Sequence, residues 1–178
     1  MLTAMILVSA CLAGTRCTYA RRHHCARAIK GLVESGRAVA VCPEVLGGLG
    51  TPREMSEIRG GAGADVLDGR ARVLTRSGKD VTRFFVAGAR AALRRARQHS
   101  ARTAVLKSGS PSCGCGSVSD GTFSGKRRAG YGVAAELLRR HGITVMSERQ
   151  FLARRRRRQP GSSARGDAAR RRAGKRNA

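Results

Sequence analysis

Short apolar runs and longer amphipathic stretches alternate along this chain, and their order predicts most of its elements. Met5-Ile6-Leu7-Val8-Ser9-Ala10 is an almost unbroken apolar run of strand length, as expected of a strand covered on both faces. From about Arg22 to Ser35, Ala26, Ile29, Leu32 and Val33 recur at helical spacing, with Gly36 as the stop. Ala38-Val39-Ala40-Val41 predicts a second strand. The span from Cys42 to Arg53 reads as a long loop, too dense in glycine for helix or strand. Asp65 to Thr75 reads as a short hairpin turning at Asp68-Gly69. Asp80 or Thr82 can cap a helix whose apolar stripe includes Val81, Phe84, Phe85, Gly88, Ala89, Ala92, Leu93 and Ala96. A third strand, Thr103 to Leu106, precedes a second long loop from Ser108 to about Gly130. A helix from Gly132 to Arg140 and a strand from Thr144 to Met146 close the pattern. Helical segments separate most strands. The predicted class is therefore α/β, a single domain over residues 1–150 with a mainly parallel, Rossmann-like sheet flanked by helices.

The chain's 178 residues suffice for one such domain and a tail. Aromatics make up only 3% and Trp is absent, so Val, Leu, Ile and Ala must build the core. Charge is lopsided, with 36 Lys and Arg against 11 Asp and Glu. Residues 151–178 hold eleven of those cations against Asp167 alone, which predicts an Arg-rich, disordered tail. Such a tail is either a solvated terminus or a flexible polycation touching nucleic-acid backbones without sequence preference.

Val8-Ser9-Ala10-Cys11 resembles a lipoprotein cleavage box, but no Lys or Arg precedes the apolar run, which is at the short limit for a signal peptide. A first strand, a cytoplasmic protein and reduced thiols are the expectation. No stretch is long enough to span a membrane.

Three cysteines stand just past the predicted strands: Cys11, Cys42 and, after a short Ser/Gly/Pro run, Cys113. In a parallel sheet their thiols converge on the edge where open α/β sheets bind ligands. Three thiolates can hold a soft metal or an iron–sulfur cluster and leave one position open. That combination points to a metal-centred enzyme. There is no C-x-x-C pair, so a zinc ribbon is poorly supported. Cys25 is expected to be a small buried hydrophobe on the first helix. Cys17 and Cys115 stay open as spare ligands or bystanders. Glu44, two residues after Cys42, is either a general base toward water or a solvated loop charge. Ser110 either relays a proton and positions substrate or merely shapes its turn. Lys107, at the end of the third strand, is either a charge offered to an anion or an ordinary strand cap. Gly47-Gly48-Leu49-Gly50 lacks the following helix start of a phosphate loop.

Taken together, Ile6 to Gly14 with Cys17, Cys42-Pro43-Glu44-Val45-Leu46-Gly47-Gly48-Leu49 with Thr51-Pro52-Arg53, Asp80-Val81-Thr82, Lys107 to Gly114, and Asp120-Gly121-Thr122-Phe123 closely resemble the thiouracil desulfidase family, long catalogued as a domain of unknown function. The resemblance spans about residues 4–150 and does not touch the tail. It implies a [4Fe–4S] cluster on Cys11, Cys42 and Cys113, with Cys17 as reserve ligand and one iron free for the sulfur of a small thiolated base. Glu44 and Ser110 match the family's acid/base positions. The implied reaction is non-redox desulfidation of a thiolated pyrimidine such as thiouracil, giving the carbonyl base and hydrosulfide. Two other readings stay open: sulfur handling on thiolated tRNA, and a nucleic-acid-binding protein with structural cysteines. One departure is visible, since the family usually has Arg-Tyr-Asp where this chain has Thr18-Tyr19-Ala20.

Overall fold

A computed structural model describes residues 5–158. Strand β1 (Ile6–Ser9) runs into a 3₁₀ turn, Ala10–Ala13, that Gly14 ends with φ of 101°. Helix α1 (Arg27–Glu34) and strand β2 (Ala38–Val41) follow, then a four-residue helix α2 (Pro43–Leu46). Strand β3 (Ser56–Arg59), helix α3 (Gly63–Leu67) and strand β4 (Arg72–Thr75) form a side unit. The long helix α4 (Thr82–Gln98) leads to strand β5 (Thr103–Leu106). Strands β6 (Ser117–Ser119) and β7 (Arg127–Ala129), helix α5 (Val133–Arg140), strand β8 (Thr144–Ser147) and helix α6 (Glu148–Arg158) complete the order.

The main sheet is parallel in the order β2-β1-β5-β8. β1 pairs with β2 on one side and β5 on the other, so the chain reverses its direction of winding between β1 and β5. Crevices at such switch points, beyond the carboxyl ends of the strands, are where open α/β sheets take ligands. Leu7, Val8, Ala104, Val105 and Leu106 are wholly buried, which explains why these strands read as continuous apolar runs.

Ala92, Leu93 and Ala96 of α4 pack with Ala135 and Leu138 of α5 on the sheet. The first half of α4, through Val81, Phe85 and Ala89, packs instead on Ile58, Val66 and Val73 of the side unit. Neither Asp80 nor Thr82 is the cap residue of α4: Val81 stands there, while Asp80, one residue earlier, accepts from the Thr82 backbone N–H at 2.9 Å.

Several expectations need correction. The segment before α1 is extended up to Ala26, because His24 and Ala26 donate their backbone N–H groups to the Cys11 and Leu12 carbonyls at 2.9 Å. Cys25 is therefore exposed rather than buried on a helix. The glycine-dense loop after Cys42 begins as α2, with Pro43 at a helical N-terminal position that suits its fixed φ. The first arm of the expected Asp65–Thr75 hairpin is helix α3, where Asp65 accepts from the Ala62 N–H at 2.9 Å. β4 pairs antiparallel with β3 instead. The second long loop contains the β6–β7 hairpin.

Residues 151–158, the start of the predicted disordered tail, are helical; Leu152, Ala153 and the following arginines are good helix formers. The cations sit toward the helix C-terminus, where the macrodipole favours them. The rest of the predicted tail lies outside the described residues. No helix among the described residues is long and apolar enough to cross a membrane.

Candidate active site

Beyond the carboxyl ends of β1, β2 and β5 lies a cavity of about 270 Å³. Its lining includes Cys11, Cys17, Cys42, Cys113, Glu44, Ser110 and Lys107. Each cysteine arrives on its own element: Cys11 on the 3₁₀ turn after β1, Cys42 at the start of α2 after β2, and Cys113 on the turn after β5. All six cysteines of the chain are free thiols. Cys115 is half-buried, points its thiol back to the Cys113 carbonyl at 3.3 Å and does not line the cavity.

The Cys113 turn meets α5 through backbone hydrogen bonds. The first N–H groups of α5, which a helix leaves without internal partners, are taken by the carbonyls of Pro111 and Ser112 at 2.9 Å. Gly132 permits the contact, since a Cβ there would lie 2.5 Å from the Ser112 carbonyl. A similar approach fixes α2 against α4: a Cβ on Gly88 would meet the Pro43 carbonyl, and one on Gly47 would meet that of Phe84.

The Cys42 thiol donates to the Cys17 carbonyl at 3.7 Å. Interaction with the Cys11 thiol, with burial adding, pushes the Cys17 thiol up to about 11. Cys42 is pushed well above the usual thiol range, first by Cys17 and then by burial. Burial does the same to Cys113, against a hydrogen bond from Ser9 that works the other way. These three sulfurs therefore favour their protons, which a cofactor must displace to bind. No group of His, Cys, Asp and Glu among the described residues is arranged to hold a single metal ion. An all-sulfur donor set spread around one cavity suits a cluster of several irons better than one hard ion.

Glu44 is held from both sides. Its Oε2 accepts from Nε of Arg53 at 2.8 Å and from Nη2 of the same guanidinium, while Oε1 accepts from the Ser110 hydroxyl at 3.3 Å. Both partners of the ion pair are largely buried, with 10% and 15% side-chain exposure. Arg53 also donates to the Cys17 carbonyl at 3.0 Å and to the Gly50 carbonyl at 3.1 Å. Ser110 does shape its turn, accepting from the N–H groups of Ser112 and Cys113 at 3.1 Å, and it also meets Glu44. The two readings of Ser110 thus coexist.

Lys107 donates to the Ser108 carbonyl at 2.9 Å and pairs with Glu148 at 3.5 Å, so its charge is already engaged. In Thr18-Tyr19-Ala20, Thr18 closes the loop by accepting from the Arg22 N–H at 2.8 Å, and Tyr19 lines the cavity.

Three residues went unassigned in the sequence. Arg53 was visible as the end of the Thr51-Pro52-Arg53 motif, but nothing in that loop sequence gave it a role. Ser9 ends an apolar strand, and nothing local marks it as a thiol partner. Glu57 is 5% exposed and anchors the loop before β7 by accepting from the N–H groups of Gly121 at 3.1 Å and Phe123 at 2.9 Å. Its flanking serine and isoleucine gave no sign of that.

A family model described as 2-thiouracil desulfurase matches residues 6–150. The chain is 49% identical over 147 residues to the uncharacterized protein YbbK of Bacillus subtilis strain 168, covering 83% of this chain and 97% of that protein. It is also similar to a solved structure, the [4Fe–4S]-dependent thiouracil desulfidase TudS. That match has 43% identity and a TM-score of 0.75, over 84% of this chain and 94% of the other.

Proposed function

The chain belongs to the 2-thiouracil desulfurase family, and on that footing we propose that it is a cytoplasmic enzyme that removes sulfur from a thiolated pyrimidine such as thiouracil by hydrolysis. The observation that carries this reading is the meeting, in one cavity, of Cys11, Cys42 and Cys113 with the Arg53–Glu44–Ser110 chain.

Cys11, Cys42 and Cys113 would hold a [4Fe–4S] cluster, with Cys17 in reserve. When bound, a cluster held by three thiolates supplies an open thiophilic Lewis acid that polarises the carbon–sulfur bond. The protein's own residues do the rest. Arg53, donating through both Nε and Nη2, fixes the Glu44 carboxylate in one orientation. Glu44 takes a proton from water that attacks the thiolated carbon. Ser110, bonded to Glu44, passes a proton between that carboxylate and the ring nitrogen or developing oxygen. The carbon–sulfur bond breaks, and the products are the carbonyl base and hydrosulfide. Oxidation states are unchanged, so no electron donor is needed. Thiols that served only to brace the fold would not need to face an open cavity beside a positioned carboxylate.

The test is anaerobic purification with iron and sulfide quantification, then addition of thiouracil while uracil and sulfide are measured. Stoichiometric uracil and sulfide without added reductant support the reading. Protein that stays colourless after iron and sulfide are supplied overturns it.

A further inference from the structure

Helix α4 contains no acidic residue, and four of its five exposed arginines share one side, with Arg95 turned away from them. Arg83, Arg90, Arg94 and Arg97 are all exposed. At 3.6 residues per turn they fall within about 60° of one another, on a single stripe about 21 Å long. No ion pair among the described residues involves any of them; Arg83 only covers the Phe84 ring, 4.6 Å from its centroid. The acids near other arginines are engaged elsewhere: Asp65 and Asp68 with Arg70, Asp80 with Arg72, and Glu136 with Arg139 and Arg140.

Helix stability does not explain the stripe. Arginines in the last turn suit the macrodipole, but Arg83 occupies the first turn, where an acid would stabilise and a cation does the opposite. Beyond the C-terminus of α4 the positive surface continues into a shallow cleft of about 380 Å³, lined by Arg97, Arg102 and His141 over a floor including Leu93 and Ile143. This cleft lies before β5 and β8, at the sheet edge opposite the cysteines.

We propose that the arginine face of α4, with the adjoining cleft, binds the phosphate backbone of a nucleic acid. Arginine's planar fork matches phosphate oxygens in pairs, and a row of such forks along a rigid rod tracks a regular polyanion. A membrane surface is a poorer match, because the stripe carries no large apolar side chain to bury among acyl chains. The binding is independent of desulfidation.

The full-length protein is titrated against fluorescein-labelled single-stranded RNA and against duplex DNA of the same sequence, by anisotropy, across a salt series of about 50–200 mM. The wild type binds, and log K falls linearly with log salt. The R83Q/R90Q/R94Q/R97Q variant loses about 3 units of that slope, at roughly 0.7 to 0.9 per lost phosphate contact, and binds at least tenfold more weakly at the low-salt end. Its turnover of free thiouracil is unchanged. The milder R90Q/R94Q variant loses about half as much slope, and circular dichroism confirms that both are folded. A variant with Arg154 to Arg158 replaced by Gln retains the part of the slope that depends on α4. Three results would overturn the proposal: no binding by the wild type, an undiminished slope in the α4 variants, or tighter binding to phosphatidylserine vesicles than to either nucleic acid.

Discussion

Glu44 and Ser110 stand 66 positions apart in the chain and meet at 3.3 Å, each carried to the other by a turn that follows a different parallel strand. The acid's other oxygen is clamped by Arg53. A carboxylate fixed in this way needs little reorganisation to take a proton.

Replacing Glu44 by Gln keeps the shape of the clamp but removes the base. Turnover is expected to fall by about two to four orders of magnitude while iron and sulfide content stay at the wild-type level. Steady-state assays alongside metal analysis check this; full activity in E44Q would remove Glu44 from the mechanism.

The strand-end thiols should separate from the others on substitution. C42S is expected to lose both visible absorption and activity. C115S, whose thiol faces away from the cavity, and C25S, at the exposed surface, should keep both. C17S tests the reserve ligand: with Cys11, Cys42 and Cys113 as the full set, its cluster survives. Iron counting and the spectrum decide each case.

Gly132→Ala places a methyl group 2.5 Å from the Ser112 backbone carbonyl, which cannot swing aside as a side chain would. Overpacking of this kind costs about 1–3 kcal/mol, and here it pushes directly on the Cys113 turn. A lowered melting temperature together with a reduced iron content is the expected result. Wild-type cluster content in G132A would show that the turn does not depend on this contact.

Glu148 ties its helix start to the cavity rim, accepting from the Ser108 N–H and hydroxyl, each at 2.8 Å. Burial opposes its charge, but the two bonds from Ser108 outweigh burial and hold the carboxyl below its ordinary range. Its contribution is therefore fully present above the unfolded-state value near 4.3 and is lost as pH falls through the lower folded value. E148Q should be less stable at neutral pH by about 1 kcal/mol and show a shallower loss of stability on acidification. Urea melts between neutral and acid pH measure both.

The central sheet was legible because its inner strands β1 and β5 are buried almost throughout, and its edge strands β2 and β8 still leave short, mainly apolar runs. The convergence of Cys11, Cys42 and Cys113 followed from that sheet. β3 was invisible: Ser56-Glu57-Ile58-Arg59 buries a charged residue whose backbone partners, Gly121 and Phe123, lie far along the chain. α3 was misread because five residues carry too little periodicity to tell helix from strand, and Asp68-Gly69 suggested a hairpin. Cys25 was misplaced because its segment is held extended by carbonyls of Cys11 and Leu12, a tertiary effect that helical spacing cannot reveal. The clamp on Glu44 stayed hidden for a similar reason, since loop sequence does not disclose how a loop folds back on itself.

The pair Gly47 and Gly88 leaves the backbones of α2 and α4 touching with no side chain to cushion them. A rod and the short segment pressed on it without padding cannot shift independently. A substitution that wedged these two backbones apart would therefore displace Pro43, and with it the neighbouring carboxylate that faces the thiols.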